Sequence, residues 1–235
     1  MTSWRDGIWL CTLMCIPMAM GACTKPQATK KTPEEASADD SAAQEKSTAV
    51  AGNSSTGTLV FSEDFEGADW RSNWSGSETA WKVDSGRLKG QGDKNGGLWW
   101  TGKLPRNAKI EFDAWAESDH GDLKVELYGE QREHQSGYVV ILGGWKNRIS
   151  VIARKDEHGK DRIENRKIVT SPGQRHRFKL VREDTELRFY VDGERVMTFL
   201  DESPLAGFSF GFANWEAPVA FDNLSIYELT PVPGK

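Results

Sequence analysis

The stretch Leu187-Arg188-Phe189-Tyr190-Val191-Asp192-Gly193-Glu194-Arg195-Val196 carries two signals that decide the fold. Leu187, Phe189 and Val191 alternate with Arg188 and Tyr190, the period of a strand with one buried face. Asp192-Gly193 then interrupts the run. That pair accepts the positive φ needed at both centres of a type I′ turn, whose twist matches the strands on either side. The segment predicts an antiparallel hairpin.

The same alternation recurs outward from it. In Lys109–Ser118, Ile110, Phe112, Ala114 and Ala116 share one face, and Glu111, Asp113, Trp115 and Glu117 share the other. Leu123, Val125 and Leu127 alternate with Lys124, Glu126 and Tyr128; Phe178 and Leu180 oppose Arg177 and Lys179; Phe208, Phe210 and Phe212 oppose Ser209, Gly211 and Ala213. Ser85-Gly86, His120-Gly121, His158-Gly159 and Pro172-Gly173 punctuate the runs as turns. No window after residue 57 has a helical period, so an antiparallel sandwich is expected. Near the end, Val219 and Phe221 share one phase and Leu224 and Ile226 the other. One extra residue at Asp222-Asn223, a β-bulge, brings all four to the core face.

The first 57 residues read differently. Gly7–Ala22 is apolar, about 16 residues long, and too short for a membrane-spanning helix, which needs roughly 20. It has the length of a signal-peptide core. Met20-Gly21-Ala22-Cys23 follows and resembles the bacterial lipobox. That resemblance implies removal of residues 1–22 and lipidation of Cys23, although Met20 and the weakly charged start depart from the pattern. Residues 23–57, rich in Ala, Ser, Thr, Lys and Glu and without an aromatic side chain, read as a disordered tether. The lipobox resemblance, with Thr24 after the cysteine, implies the outer membrane. The partner expected at this end is the lipid bilayer, through acylated Cys23. Cysteines occur only at 11, 15 and 23, so the domain needs no disulfide. A net charge of −5 with mixed signs gives no field toward nucleic acid.

Phe61-Ser62-Glu63-Asp64-Phe65-Glu66-Gly67, Trp81-Lys82-Val83, the Asp192-Gly193 hairpin and Ala220-Phe221-Asp222-Asn223-Leu224-Ser225-Ile226 stand in an order that resembles concanavalin A-like jelly rolls of the laminin-G and glucanase type. The resemblance spans residues 58–230, leaving 231–235 as a tail, and implies an all-β antiparallel jelly-roll β-sandwich. That fold hosts binding modules and hydrolases alike.

Eight tryptophans lie in the domain. Trp70, Trp74 and Trp81 read as core. Trp99 and Trp100 are adjacent on a strand, so only one can enter the core. Trp115, on a polar strand face, and Trp145 and Trp215, in loops, are the rings expected to stack on sugar CH faces, with Asn147, Asn214, Glu111 and Asp113 bonding the hydroxyls. Laminarinase-type enzymes carry Glu-x-Asp-x-Glu on one strand. Here Glu111-x-Asp113 is followed by Trp115 where the second glutamate belongs, so no catalytic residue is assigned and the reading leans away from an enzyme. The resemblance also implies a structural Ca²⁺ clamping the terminal strands through Glu63, Asp64 or Glu66 and Asp222. No cofactor is required. His120, His134, His158 and His176 lack zinc spacing. Gly96-Gly97 and Gly143-Gly144 lack a following helix to hold phosphate.

Three readings remain open: a surface lipoprotein that binds a glycan without cleaving it, a glycoside hydrolase of the same fold, and a structural envelope lipoprotein that binds another protein.

Overall fold

The computed structural model of the protein describes residues 57–230. The signal segment, Cys23, almost all of the tether and the tail lie outside the described residues. In chain order the strands are β1 (Gly57–Glu63), β2 (Trp74–Gly76), β3 (Trp81–Asp84), β4 (Arg87–Gln91) and β5 (Leu98–Trp100). Then come β6 (Ala108–Ala116), β7 (Leu123–Leu127), β8 (Tyr138–Gly143), β9 (Ile149–Arg154) and β10 (Ile163–Asn165). The last are β11 (Arg175–Glu183), β12 (Glu186–Val191), β13 (Glu194–Leu200), β14 (Phe210–Ala213) and β15 (Pro218–Leu229).

They form two antiparallel sheets stacked as a sandwich, as the alternation predicts. An eight-stranded sheet runs β13-β12-β11-β6-β15-β4-β3, with β1 also on β15. A seven-stranded sheet runs β10-β9-β8-β7-β14-β5-β2. Between them Phe212 stacks on Phe221 at 4.3 Å, and Phe112 meets Phe178 at 4.9 Å and Phe212 at 5.4 Å. Each buried aromatic ring contributes about 1.5–3 kcal/mol through the water it sheds.

The hairpin forms as read, with Val191 opposite Glu194 and positive φ at Asp192 (53°) and Gly193 (89°). The bulge also forms. Against β6, Asp222 pairs with Asp113 and Ser225 with Glu111, so β15 holds one residue more than its partner. Asn223 takes φ 53° to do this, and Val219, Phe221, Leu224 and Ile226 all reach the core.

The adjacent tryptophans divide between the two faces of β5 as read, but both are covered. Trp100 enters the core, 4.8 Å from Phe61, yet Trp99 is buried as well, on the opposite face of β5. Gly211 on β14 pairs with it, and a Cβ there would stand 2.5 Å from the indole. Glycine thus makes the bed in which the second ring lies. The interior also holds charge. Arg182 is buried, with its guanidinium 3.9 Å from the centre of the Tyr128 ring and Nη2 donating to the Leu205 carbonyl at 2.7 Å. Beside it the Tyr138 hydroxyl donates to Asp201 Oδ2 (2.7 Å) and accepts from the Leu205 N–H (3.0 Å), and Arg154 Nε reaches the same Asp201 oxygen at 2.9 Å. Burial, and then the bond to Asp201, push the Tyr138 hydroxyl up to about 12 against the opposing pull of the Leu205 N–H and Arg182.

Candidate functional site

A cleft of about 590 Å³ lies on the face of the seven-stranded sheet turned away from the core. Its floor comes from β7 and β8. Leu123, Val125 and Leu127 point into the core, which sends Lys124 and Glu126 to the other face beside Ile141 of β8. That face is covered by loops, so both charges are buried (1 % exposed each).

Burial is tolerated because the polar groups form a chain. Lys124 Nζ donates to Asn95 Oδ1 at 2.8 Å. That contact orients the amide, so Asn95 Nδ2 donates to His134 Nε2 (2.9 Å) and His134 donates through Nδ1 to Glu126 Oε1 (2.6 Å). Glu126 Oε2 accepts the Gln135 N–H at 2.7 Å. On the other side Lys124 Nζ lies 2.9 Å from Glu157 Oε2, an ion contact without hydrogen-bond alignment, so that buried oxygen takes no protein donor. Asp122, just before β7, accepts the Trp215 N–H through Oδ2. Burial pushes its carboxyl above the ordinary range, against the opposing pull of Lys124 and the Trp215 N–H.

Two tryptophans from separate loops wall the cleft. Trp215 follows β14, is 46 % exposed, and is pinned by its N–H bond to Asp122. Lys94 Nζ lies 5.6 Å from its ring centre and pairs with Glu216 at 3.0 Å. Trp145 stands on a left-handed turn between β8 and β9, with φ of 51°, 60° and 59° at Trp145, Lys146 and Asn147. Each such non-glycine residue costs about 1–2 kcal/mol, an outlay found where a chain must aim a side chain. Asn147 secures the turn: its Oδ1 accepts the Thr170 N–H (2.9 Å) and its Nδ2 donates to the Thr170 carbonyl (2.8 Å). The Trp145 ring rests on Val139, Ile141, Ile149 and Val151, with the Arg162 guanidinium 4.7 Å from its centre and His158 edge-on at 5.5 Å.

Of the residues expected to bind sugar, Trp145 and Trp215 therefore share one cleft, and the others do not join them. Trp115 is on β6 of the other sheet, only 8 % exposed, with the Arg87 guanidinium 4.1 Å from its ring centre. Its strand face is polar in sequence, but arginines cover it. Glu111 pairs with Lys109 at 2.9 Å. Asp113 meets Arg177 at 3.4 Å and accepts from Asn223 Nδ2 at 3.1 Å. Asn147 is the clamp just described. Asn214 is buried, donating from Nδ2 to the Ala217 carbonyl. The reading missed Asp122, Lys124, Glu126, His134 and Glu157, because alternation alone marked the β7 charges as solvated.

At the terminal strands, Glu63 Oε1 accepts the Phe65 N–H at 2.9 Å and the Glu66 carboxylate lies against Gly86. Burial raises the Asp222 carboxyl above its usual range; the Asn223 N–H and Arg87 oppose this, and Asp113 and Glu66 add to it. Among the described residues, no three acidic, histidine or cysteine side chains converge as a ready-made metal cage.

The matched family model spans Lys103–Ser225, more than half of the chain, and is described as Farnesoic acid 0-methyl transferase. The chain belongs to this family. The residues that match run from just before β6 to within β15, so the farnesoic acid methyl transferase family segment contains most of the cleft. No curated protein matches the chain. Among solved structures, a carbohydrate-binding module, CBM66 from Bacillus subtilis, is similar with a TM-score of 0.56 at 14% identity, over 66% of this chain and 96% of its own. A laminarinase from Flavobacterium sp. UMI-01 gives 0.56 at 16% identity, over 73% and 100%. SCLam, a non-specific endo-beta-1,3(4)-glucanase from family GH16, gives 0.56 at 13%, over 74% and 92%. At these identities the likeness establishes the fold alone: an antiparallel jelly-roll β-sandwich.

Proposed function

We propose that the chain is a lipid-anchored envelope protein, held at the outer membrane through Cys23, whose sandwich binds a glycan without cleaving it. One observation carries the glycan reading. Two tryptophans from separate loops, one on a strained turn, flank a single cleft whose floor is charged and buried. Flat apolar walls over a polar floor suit a sugar ring, which is apolar on its faces and hydroxylated at its edge. The solved relatives support the reading through their fold alone. A structural Ca²⁺ held near Glu63, Glu66 and Asp222 belongs to the same proposal. Its chemistry would be to offset the carboxylate charge gathered around Asp222.

A glycan-array screen of the full-length protein, followed by product analysis of each hit, tests the function. A specific hit recovered intact supports the proposal. A cleaved hit makes the protein a hydrolase, and a blank array with a co-purifying envelope protein favours the structural reading. The family's description supplies one more competing outcome. Formation of a methyl ester from farnesoic acid and a methyl donor would displace the binding reading. The anchor is tested separately: Cys23→Ala is expected to move the protein from membranes to the soluble fraction, and a variant that stays membrane-bound excludes lipidation there.

A further inference from the structure

The cleft floor has more to say about the ligand. Lys124, Glu157 and Asp122 are each more than nine-tenths buried and line the cleft together. An ammonium carries three donors. Lys124 aligns one of them on Asn95 and faces Glu157 without alignment. Glu157 Oε2 takes no protein donor, and Asp122 engages the Trp215 N–H through Oδ2, leaving Oδ1. Buried polar atoms are almost always satisfied, so the orphaned Glu157 Oε2, with Lys124 Nζ and Asp122 Oδ1 beside it at the base of one aromatic-walled cleft, marks where a polar ligand edge completes the site.

Building on the glycan reading, we propose that the floor selects an uncharged sugar ring by two adjacent hydroxyls. One hydroxyl accepts from Lys124 and donates to Glu157 Oε2, and its neighbour donates to Asp122 Oδ1. The ring then lays a CH face against Trp215, whose backbone N–H, bonded to Asp122, couples wall and floor. Charge decides between sugar classes. Asp122, Glu126 and Glu157 stand around a single buried ammonium, which already faces Glu157, and His134, neutral in the tautomer that accepts from Asn95, gives Glu126 a hydrogen bond but no positive charge. A uronate or sialate carboxylate would meet Asp122 and Glu157 with no buried cation left to pair it. Lys146 and Arg148 at the mouth are exposed, where an ion pair is screened and weak.

The test is titration calorimetry on the unaltered full-length protein with laminarihexaose and cellohexaose as neutral probes, and hexagalacturonate and sialyllactose as acidic ones. A neutral probe is expected to bind at least about tenfold more tightly than either acidic one. Glu157→Gln, which keeps the shape and halves the acceptor capacity, is expected to weaken that binding by about tenfold in protein shown by circular dichroism to be folded at the assay temperature, although loss of the anion facing Lys124 lowers its melting temperature. Equal or tighter binding of an acidic probe overturns the charge selection and leaves the glycan reading standing. Unchanged affinity in Glu157→Gln overturns the floor's role, again without touching that reading. Binding of none of the four, together with a blank glycan array, removes both.

Discussion

The tryptophans differ in function because they differ in what covers them. Trp215 is nearly half exposed beside the cleft, and Trp115 is closed beneath Arg87 on the other sheet. Trp215→Ala should therefore weaken glycan binding by roughly tenfold with little change in melting temperature, since it removes a stacking surface and little buried area. Trp115→Ala should do the reverse, costing about 3 kcal/mol of stability and leaving affinity unchanged. Calorimetry and thermal melts on the two variants check the pair; equal behaviour would mean that the wall and the core have been confused. Asp201 gives a pH prediction. Burial alone would raise its carboxyl, but the Tyr138 hydroxyl, the Ser203 N–H and Arg154 outweigh it and hold the group below the ordinary range. A carboxyl depressed in the folded state contributes stability that is whole above the unfolded pKa, about 4. That contribution disappears as the pH falls through the folded value. Asp201→Asn should lower stability at neutral pH and flatten the loss below pH about 4, read by denaturant melts across the acid range. An unchanged acid profile would show that the Asp201 bonds contribute nothing to folding.

Strands are where reading the sequence succeeded and where it met its limit. Leu187–Val196 announced its hairpin because both signals, alternation and Asp-Gly, are local. The bulge was legible for the same reason: the phase change from Phe221 to Leu224 has one economical solution. Deleting Asn223 should therefore turn Leu224 and Ile226 outward and abolish cooperative unfolding, while Asn223→Gly, which adopts φ 53° freely, should be neutral within about 1 kcal/mol. A deletion that melts like the parent would mean that the bulge does not set register. What alternation cannot reveal is the cover on the outer face. Lys124 and Glu126 look solvated when β7 is read alone. The clue lay in β8, Tyr138–Gly143, which is apolar in both phases and so must be covered on both sides. Trp115 was misplaced similarly, its cover arriving from Arg87 on β4. No sequence motif foretold the left-handed turn under Trp145; Gly143-Gly144 and Asn147 only permit it.

At the scale of the whole molecule, two faces carry separate chemistry. The outer face of the seven-stranded sheet holds the cleft, and the outer face of the eight-stranded sheet gathers Asp113, Asp222 and Glu66 around arginines. If Ca²⁺ serves the terminal strands, EDTA should lower the melting temperature and added Ca²⁺ restore it, without the Trp215 dependence expected of sugar. A melting curve indifferent to both would dispose of the ion. The fold as a whole was legible because its repeating signals are short in range. The site was not, because its residues meet from Asn95 to Trp215 and no window contains them.

Strand β15 pairs with β1, β4 and β6, tying the end of the domain to three strands made near its beginning. On a ribosome adding about 5–20 residues per second, β1 waits on the order of ten seconds for that partner to be made. The eight-stranded sheet therefore has no centre until its last strand has left the tunnel, and its two parts, β13-β12-β11-β6 and β4-β3, stay unjoined until then. A sheet assembled in that order is closed by its final dozen strand residues.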